Sequence, residues 1–244
     1  MKHRAAIIIL SVALFLTSFF IPNANHVLLF CGIILILFLI VLAVGITTPK
    51  FNYFIRSINK LQPGEVCLSF DDGPNTYTHQ ILDCLAKHEI KASFFLIGKN
   101  SEADPDTVKH IQNGGHLIGN HSYHHQTNIG WLSTKKVGEE ISKANAILND
   151  ITGKQPIYYR PPFGVLNPNI ARAIKNNGLK SVGWTIRSFD TKIQDPVRIF
   201  NKIKKRFKNK GEIILLHDTC KHSVETLDLI IPYLKEQGVK FVNP

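Results

Sequence analysis

The chain has 244 residues, a formal net charge of +11 and 44% hydrophobic residues. This length suits one domain of ordinary size with a smaller addition, and the apolar content excludes a disordered chain. Four cysteines are too few for a disulfide-rich scaffold. Residues 1–50 contain no Asp or Glu, so we expect a basic but otherwise ordinary soluble domain after them.

Two apolar runs, residues 5–22 and 27–46, lie on either side of a short break that contains Pro and Asn. Each run is close to the roughly 20 residues that cross a hydrocarbon core. We therefore predict that residues 1–47 form two transmembrane helices, a hairpin that contacts membrane lipid. Three alternatives are less favoured. The second run argues against a cleaved signal peptide, the lack of an amphipathic stripe against a core helix, and the break against one tilted span.

The charges beside the two runs leave the side of the membrane open. Lys2 and Arg4 precede the first run, and Lys50, Arg56 and Lys60 follow the second. The positive-inside rule then favours both ends in the cytoplasm. The chemistry of the residues in the following domain favours the outer side instead. We take the cell membrane as the location, with the domain on the outer side as the working expectation.

After a predicted linker at residues 48–62, strand-like and helix-like segments alternate through residues 63–244. The predicted strands are 66–70, 93–97, 117–120, 157–160, 181–186, 212–216 and 240–242. The predicted helices are 78–88, 104–113, 134–151, 168–177, 196–208 and 224–237. Such alternation predicts an α/β fold with a mostly parallel sheet and helices outside, and about seven units could close into a barrel.

Carboxylates and imidazoles follow two of the predicted strands, where parallel α/β folds gather functional groups. Asp71 and Asp72 follow the first strand, and His121 and His125 follow the third. In a helical turn, a spacing of four places both imidazoles on one face. Two imidazoles and one carboxylate give the three-ligand site of a hydrolytic metal centre, and the second carboxylate could serve as a base. The alternatives are a solvated Asp-Gly-Pro turn and a chance histidine cluster.

Two further strand ends carry residues suited to catalysis. His217 follows the sixth strand and could protonate a leaving amine, because its ordinary pKa lies near neutral pH. Arg160 precedes two prolines after the fourth strand, and its planar guanidinium could hold a carboxylate. A structural histidine and a surface arginine in a turn are the alternatives.

Four segments together resemble the motifs of the polysaccharide deacetylases of carbohydrate esterase family 4, the NodB homology domain. They are SFDDGP at 69–74, HSYHH at 121–125, RPPFG at 160–164 and ILLHD at 214–218. The resemblance covers about residues 63–244. It implies a distorted (β/α)7 barrel and metal-dependent hydrolysis of N-acetyl groups on an amino-sugar polysaccharide, either peptidoglycan or another glycan that contains N-acetylglucosamine.

The resemblance also implies roles for the residues at these motif positions. Asp72, His121 and His125 would bind one divalent metal ion, for which zinc is the first choice and cobalt or nickel are admissible. Asp71 would be the general base, and His217 would be the general acid.

Three supporting roles follow from the same resemblance. Arg160 would orient Asp71. The backbone N–H of Phe163 would stabilise the oxyanion, and Leu215 would help to line a pocket for the acetyl methyl group.

One motif departs from the family pattern, which often reads D-x-x-D-W. Asp190 matches the second Asp and would pair with His217, but Arg187 replaces the first Asp and Thr191 replaces the Trp. We expect Trp184 and Arg187 to contact the substrate. Arg187 would face an anionic group such as a lactyl carboxylate or a phosphate.

Two other functions remain open at this point. The chain could deacylate a lipid-linked aminosugar at the membrane, which fits a cytoplasmic domain. It could instead be an inactive, membrane-anchored carbohydrate-binding domain, although the intact acidic and histidine set argues against this. The basic segment 202–210 is read as a solvated helix face or an attraction to anionic lipid or wall polymer, so no nucleic-acid partner is predicted. The sequence does not define an oligomeric state.

Overall fold

The computed structural model describes residues 2–244 and begins with a hairpin of two apolar helices, α1 (Lys2–Phe20) and α2 (Ala24–Thr47). Asn23 caps α2, because its side chain accepts hydrogen bonds from two backbone N–H groups of the first turn. Both helices are long and apolar enough to cross a membrane, and they are almost wholly exposed. A signal sequence has the same properties, so the helices alone do not establish a membrane anchor.

The rest of the chain alternates strands and helices. The strands are β1 (Ser57–Ile58), β2 (Glu65–Asp71), β3 (Ser93–Leu96), β4 (Leu117–Asn120), β5 (Tyr158–Tyr159), β6 (Lys180–Val182), β7 (Ile186–Arg187), β8 (Glu212–His217) and β9 (Lys240–Phe241). The helices are α3 (Thr78–Lys87), α4 (Gly98–Ala103), α5 (Pro105–Asn113), α6 (Thr134–Thr152), α7 (Pro168–Asn176), α8 (Pro196–Arg206) and α9 (Ser223–Glu236).

All strands belong to one parallel sheet in the order β1-β6-β5-β4-β3-β2-β8-β7, and β9 also pairs with β2. Helices surround this half-barrel, so the predicted α/β fold with a parallel sheet and outer helices is confirmed. β1 and β7 stand at the two ends of the strand order.

The structure differs from the sequence prediction in three segments. The predicted strand 181–186 is two strands, β6 and β7, because Gly183–Thr185 crosses from the β1 side of the sheet to the β8 side. The Gly183 N–H donates to Ile58, whereas the Thr185 N–H donates to Ile213. The predicted linker 48–62 contains β1, and the predicted strand end near residue 97 is followed by the short α4. Of these differences, the split of residues 181–186 is the one that an apolar run cannot reveal, because the sequence does not show that its two halves pair with different strands.

The core lies between the sheet and α3, α8 and α9, and its residues are almost all aliphatic or aromatic. The rings of Phe70 on β2 and Phe94 on β3 stack with centroids 5.0 Å apart. Burial of each such side chain stabilises the fold by roughly 1.5–3 kcal/mol. This packing fixes the strand register, which pairs Asp71 with His217 and so brings the ends of β2 and β8 together.

Backbone hydrogen bonds join the helical hairpin to the α/β domain. The N–H of His3 donates to the Tyr53 carbonyl at 3.2 Å, and the Leu166 N–H donates to the Ile46 carbonyl at 2.9 Å. The Lys2 ammonium donates to the carbonyl of Phe51 at 2.9 Å. The free ends of α1 and α2 therefore lie directly against the domain.

Candidate metal centre

Asp71 and Asp72 occupy the end of β2 and differ sharply in burial. The Asp71 side chain is 5% exposed and the Asp72 side chain is 26% exposed. Asp72 has a positive φ of 77°, which reverses the backbone direction after the strand. The side-chain amide of Asn100 donates to the Asp72 carbonyl at 3.0 Å and holds this uncommon conformation.

His121 and His125 both approach Asp72, but the predicted helical turn between them is wrong. The segment after β4 is an irregular turn in which Ser122 and His125 have positive φ, and the Ser122 hydroxyl accepts the His125 N–H at 3.0 Å. The two Nε2 atoms nevertheless each lie 3.3 Å from Oδ1 of Asp72. The turn thus achieves the juxtaposition that the spacing predicted.

The hydrogen bond of His121 leaves its Nε2 atom free to bind a metal ion. Its Nδ1 lies 2.7 Å from the carbonyl oxygen of Arg160, and a carbonyl can only accept, so Nδ1 carries the proton. Nε2 then presents a lone pair toward Asp72. A backbone carbonyl behind a ligating histidine is the usual means of fixing its tautomer.

The donor set fits a divalent metal ion. One ligand atom each from Asp72, His121 and His125 lie within 4.8 Å of one another. Burial acts to raise the pKa of Asp72, but the hydrogen bond and charges of the surrounding imidazoles lower it to about 2. The pKa of His125 is lowered by burial and by His121, more than the nearby carboxylates raise it. Both groups therefore favour the deprotonated forms that a metal requires.

Arg160 and Asp71 form a buried frame behind the open group of Asp72, His121 and His125. The Arg160 side chain is fully buried, and its Nη1 donates to Asp71 Oδ1 at 2.7 Å and to the Ser69 hydroxyl at 3.0 Å. Nη2 donates to the carbonyl of Gly183 at 3.1 Å. The guanidinium carbon lies 4.0 Å from the ring centroid of Phe95. These contacts hold the Asp71 carboxylate in a single orientation, 3.9 Å from His121 Nε2.

His217 lies at the end of β8, and Asp190 holds it at two points. Asp190 Oδ1 is 2.8 Å from His217 Nδ1, and Oδ2 accepts the His217 backbone N–H at 2.7 Å. His217 Nε2 then faces the open group, 4.0 Å from Oδ2 of Asp72. Burial acts to lower the pKa of His217, but Asp190, Asp71 and Asp72 raise it above its ordinary value.

The four residues predicted to contact substrate differ in exposure and in their neighbours. Phe163 has a positive φ of 57°, and its half-exposed ring lies 4.5 Å from that of His125. Leu215 is buried two residues before His217, and therefore on the same side of β8. Trp184 covers Gly164, where an added Cβ would clash with the indole. Arg187 pairs with Leu215 across β7 and β8, and its guanidinium lies 5.0 Å from the Phe189 ring.

Some supporting residues carry no motif signal. Ser69 could have been found from alternation, because it lies two residues before Asp71 on the same face of β2. Asn100 could not, since it reaches Asp72 from α4. His124 is turned away from the group and pairs with Glu140, with 2.6 Å between Nδ1 and Oε1. The adjacent histidines of the HSYHH segment thus have different environments.

Comparison with known proteins gives consistent matches. The family model described as polysaccharide deacetylase matches residues 59–182. A peptidoglycan-N-acetylglucosamine deacetylase of Bacillus cereus is 39% identical over 200 residues, which cover 80% of this chain and 71% of that protein. The peptidoglycan-N-acetylmuramic acid deacetylase PdaA of Bacillus subtilis is 35% identical over 185 residues, 72% of this chain and 68% of its own.

A solved structure agrees with these sequence matches. A peptidoglycan N-acetylglucosamine deacetylase crystallised with a benzamide compound superposes with a TM-score of 0.72 and 36% identity. The superposition covers 76% of this chain and 89% of that one. The similarity therefore extends over nearly all of the α/β domain.

Proposed function

Because the chain belongs to the polysaccharide deacetylase family, carbohydrate esterase family 4, we propose that it removes N-acetyl groups from peptidoglycan. One observation carries the proposal: Asp72, His121 and His125 present three ligand atoms within 4.8 Å of one another, directly beside the framed carboxylate of Asp71. An N-deacetylase needs a metal site and a base at one place, and these four side chains would provide both. The products would be acetate and a free amine on the sugar.

Asp72, His121 and His125 would hold one divalent ion, and zinc is the ion we propose, since imidazole and carboxylate ligands with an open position suit it. When bound, the ion would polarise the acetyl carbonyl and make a water molecule more acidic. Enzymes of this family depend on a metal, which agrees with this donor set. The remaining steps can be assigned to side chains of this chain.

Asp71 is the base in this proposal. Its carboxylate would accept a proton from the attacking water as the new carbon–oxygen bond forms. Arg160 and Ser69 would keep this carboxylate aligned, because Arg160 donates to Oδ1 of Asp71 and Ser69 accepts from the same guanidinium. Oδ2 of Asp71 then remains directed toward His121. The backbone N–H of Phe163 would stabilise the oxyanion, and Leu215 would line the space for the methyl group.

His217 is the acid. As the carbon–nitrogen bond breaks, Nε2 would donate its proton to the departing sugar nitrogen. Asp190 supports this role by binding Nδ1, which leaves Nε2 as the nitrogen that faces the open group. The proton taken by Asp71 and the proton given by His217 balance, and water adds across the amide.

The environment of Arg187 supports N-acetylmuramic acid as a second candidate substrate for the same reaction. Arg187 is partly exposed, but its Nε is buried and has no hydrogen-bond partner among residues 2–244, although a buried N–H group is normally paired. A lactyl carboxylate, as on N-acetylmuramic acid, would supply the missing acceptor. N-acetylglucosamine has no such group. Trp184 would contribute an apolar wall for the sugar ring.

We further propose that α1 and α2 anchor the chain in the cell membrane, with residues 63–244 as the catalytic domain on the outer side. The length and apolar surface of both helices support the anchor, and a peptidoglycan substrate supports the outer side. A lipid-linked aminosugar would be the substrate of a cytoplasmic domain. A carboxy-terminal reporter active only in the cytoplasm would exclude the outer location.

Acetate release from purified peptidoglycan tests the reaction with the full-length protein. We expect release that stops with a chelator and returns with zinc. The double variant Asp72→Ala, His121→Ala should bind no metal and release no acetate. Normal release by this variant would refute the proposal, and glycan binding without turnover in the metal-loaded protein would favour an inactive binding domain.

Sugar analysis of the product separates the two substrates. Arg187→Ala should raise the KM for muramic acid-containing substrate without an equal effect on N-acetylglucosamine oligomers. Equal changes in KM for charged and neutral substrates would remove Arg187 from substrate recognition and leave N-acetylglucosamine as the proposed target.

A further inference from the structure

A large cleft lies away from the metal centre, where the helical hairpin meets the α/β domain. Its volume is about 1350 Å³, and α1, the segment after α2, β1 and α7 all contribute to its walls. Four of its lining residues are exposed cations: Arg4 on α1, Lys50 after α2, and Arg56 and Lys60 on either side of β1. The cleft is thus formed in part by the helices proposed to enter the membrane.

The rest of the lining is also basic. Arg172 and Lys175 of α7 and Lys180 of β6 face the cleft and are exposed. No Asp or Glu lines it, and none of its cations forms an ion pair with an acid among residues 2–244. Seven like charges around one cleft repel one another, so the arrangement favours a bound anion.

The position and lining of the cleft identify the kind of anion. Ile7 of α1 and Phe54 and Ile55 before β1 line it together with the cations. Polar and apolar surfaces therefore meet at the level where α1 begins and α2 ends. This combination suits a molecule with an anionic head and an apolar body, and arginine side chains bind phosphate oxygens through two parallel hydrogen bonds.

We infer that this cleft binds the phosphate headgroup of an anionic membrane phospholipid, whose acyl chains lie along α1. Basic pockets beside transmembrane helices bind such headgroups through the same charge pattern. The inference rests on the proposed membrane anchor but not on the proposed deacetylation. Bound lipid would hold the α/β domain in a fixed orientation on the membrane surface.

Native mass spectrometry of the full-length protein, released from nanodiscs of mixed phosphatidylglycerol and phosphatidylcholine, tests the inference. We expect retained phosphatidylglycerol on the intact chain and little phosphatidylcholine. The triple variant Arg56→Gln, Lys175→Gln, Lys180→Gln should weaken this retention by about 100-fold. All three side chains are exposed, and acetate release from soluble oligosaccharide should be unchanged.

A second triple variant provides the matched control. Lys205→Gln, Lys208→Gln, Lys210→Gln removes the same charge from the other basic segment, at the end of α8, and should keep the lipid. Equal loss in both variants, or equal retention of the two lipids, would overturn the inference. So would displacement by millimolar glycerol phosphate or by peptidoglycan fragments, which would indicate a soluble phosphate or substrate site. The intact mass also reports whether the hairpin has been cleaved, which would refute the anchor itself.

Discussion

The two halves of the metal centre differ in burial, and the difference separates reactivity from support. Asp72 is 26% exposed at its side chain and stands on a backbone of positive φ, with imidazoles as its neighbours. Arg160 is fully buried, and four of its contacts are fixed by β2, the segment at Gly183 and Phe95. Water and substrate must reach the first half, whereas the second half only needs to stay in place.

A second comparison concerns two buried carboxylates at the ends of adjacent strands. Asp71 is the last residue of β2 and has Arg160 as a cationic partner. Asp218 follows β8, and its Oδ2 accepts a hydrogen bond from the Thr78 hydroxyl at 2.6 Å, while its Oδ1 is buried without a partner among residues 2–244. Burial accordingly raises the pKa of Asp218 to about 7. The two carboxylates therefore differ in their partners, and a buried carboxylate that lacks a cation favours its neutral form.

The largest effect on activity should come from the more exposed half of the metal centre, which contains Asp72 and its neighbouring imidazoles. We expect His125→Ala to lower kcat/KM for acetate release by at least about 1000-fold, because a lost metal ligand removes several kcal/mol of transition-state stabilisation. Metal content, measured by atomic emission, should fall with it. The melting temperature should change little, since His125 lies outside the main core.

His124→Ala is the matched control for this prediction. The neighbouring ring pairs with Glu140 and is half exposed, so its loss should cost at most about 1 kcal/mol of stability. Metal content and activity should remain near those of the parent protein. If the two alanine variants lose activity equally, the assignment of His125 as a ligand is wrong.

The buried half should respond in stability as well as in activity. Arg160→Met leaves Asp71 buried without its cation, and the free energy of unfolding should fall by about 3–5 kcal/mol. Urea unfolding of the detergent-solubilised protein, followed by tryptophan fluorescence, measures this change. The double variant Arg160→Met, Asp71→Asn should recover most of the stability but none of the activity. A stable single variant would show that the frame does not depend on this ion pair.

Asp218→Asn tests the neutral carboxylate through its pH dependence. The folded protein keeps the proton up to a pKa of about 7, whereas the unfolded chain releases it near 3.8. The wild type therefore loses stability as pH rises from about 4 to about 7. Asparagine, which is neutral throughout, should match the wild type near pH 4 and exceed it by about 2–4 kcal/mol near pH 8. A difference that is constant with pH would mean that Asp218 is ionised throughout.

Most of the fold and of the candidate site could be predicted from the sequence, because local patterns determine them. The β2 and β8 runs are continuous and apolar, and Asp71, Asp72 and His217 directly follow or end them. The six predicted helices begin and end within two residues of the observed bounds. The motif order then allowed the strand ends to be combined into one centre.

The remaining features depend on contacts distant in sequence. β1 has two residues and exists because β6 lies beside it, so no periodicity could reveal it. The turn from His121 to His125 takes its shape from positive φ at Ser122 and His125, although neither residue type demands it. Asn100 and the basic cleft likewise arise only when separate elements meet. Spacing therefore predicted which residues converge but not the backbone that brings them together.

The smallest effect should come from the edge of the buried frame. Ser69→Ala removes one neutral acceptor of Arg160 Nη1, which keeps its bond to Asp71, so stability should fall by only about 1 kcal/mol. Ser101→Ala is the control, since Ser101 is equally buried but binds only the Ile97 carbonyl. Both variants should unfold at similar urea concentrations, but only Ser69→Ala should lower kcat, because Arg160 then holds the Asp71 carboxylate less firmly. Equal kcat in the two variants would limit the frame to Arg160 and Asp71.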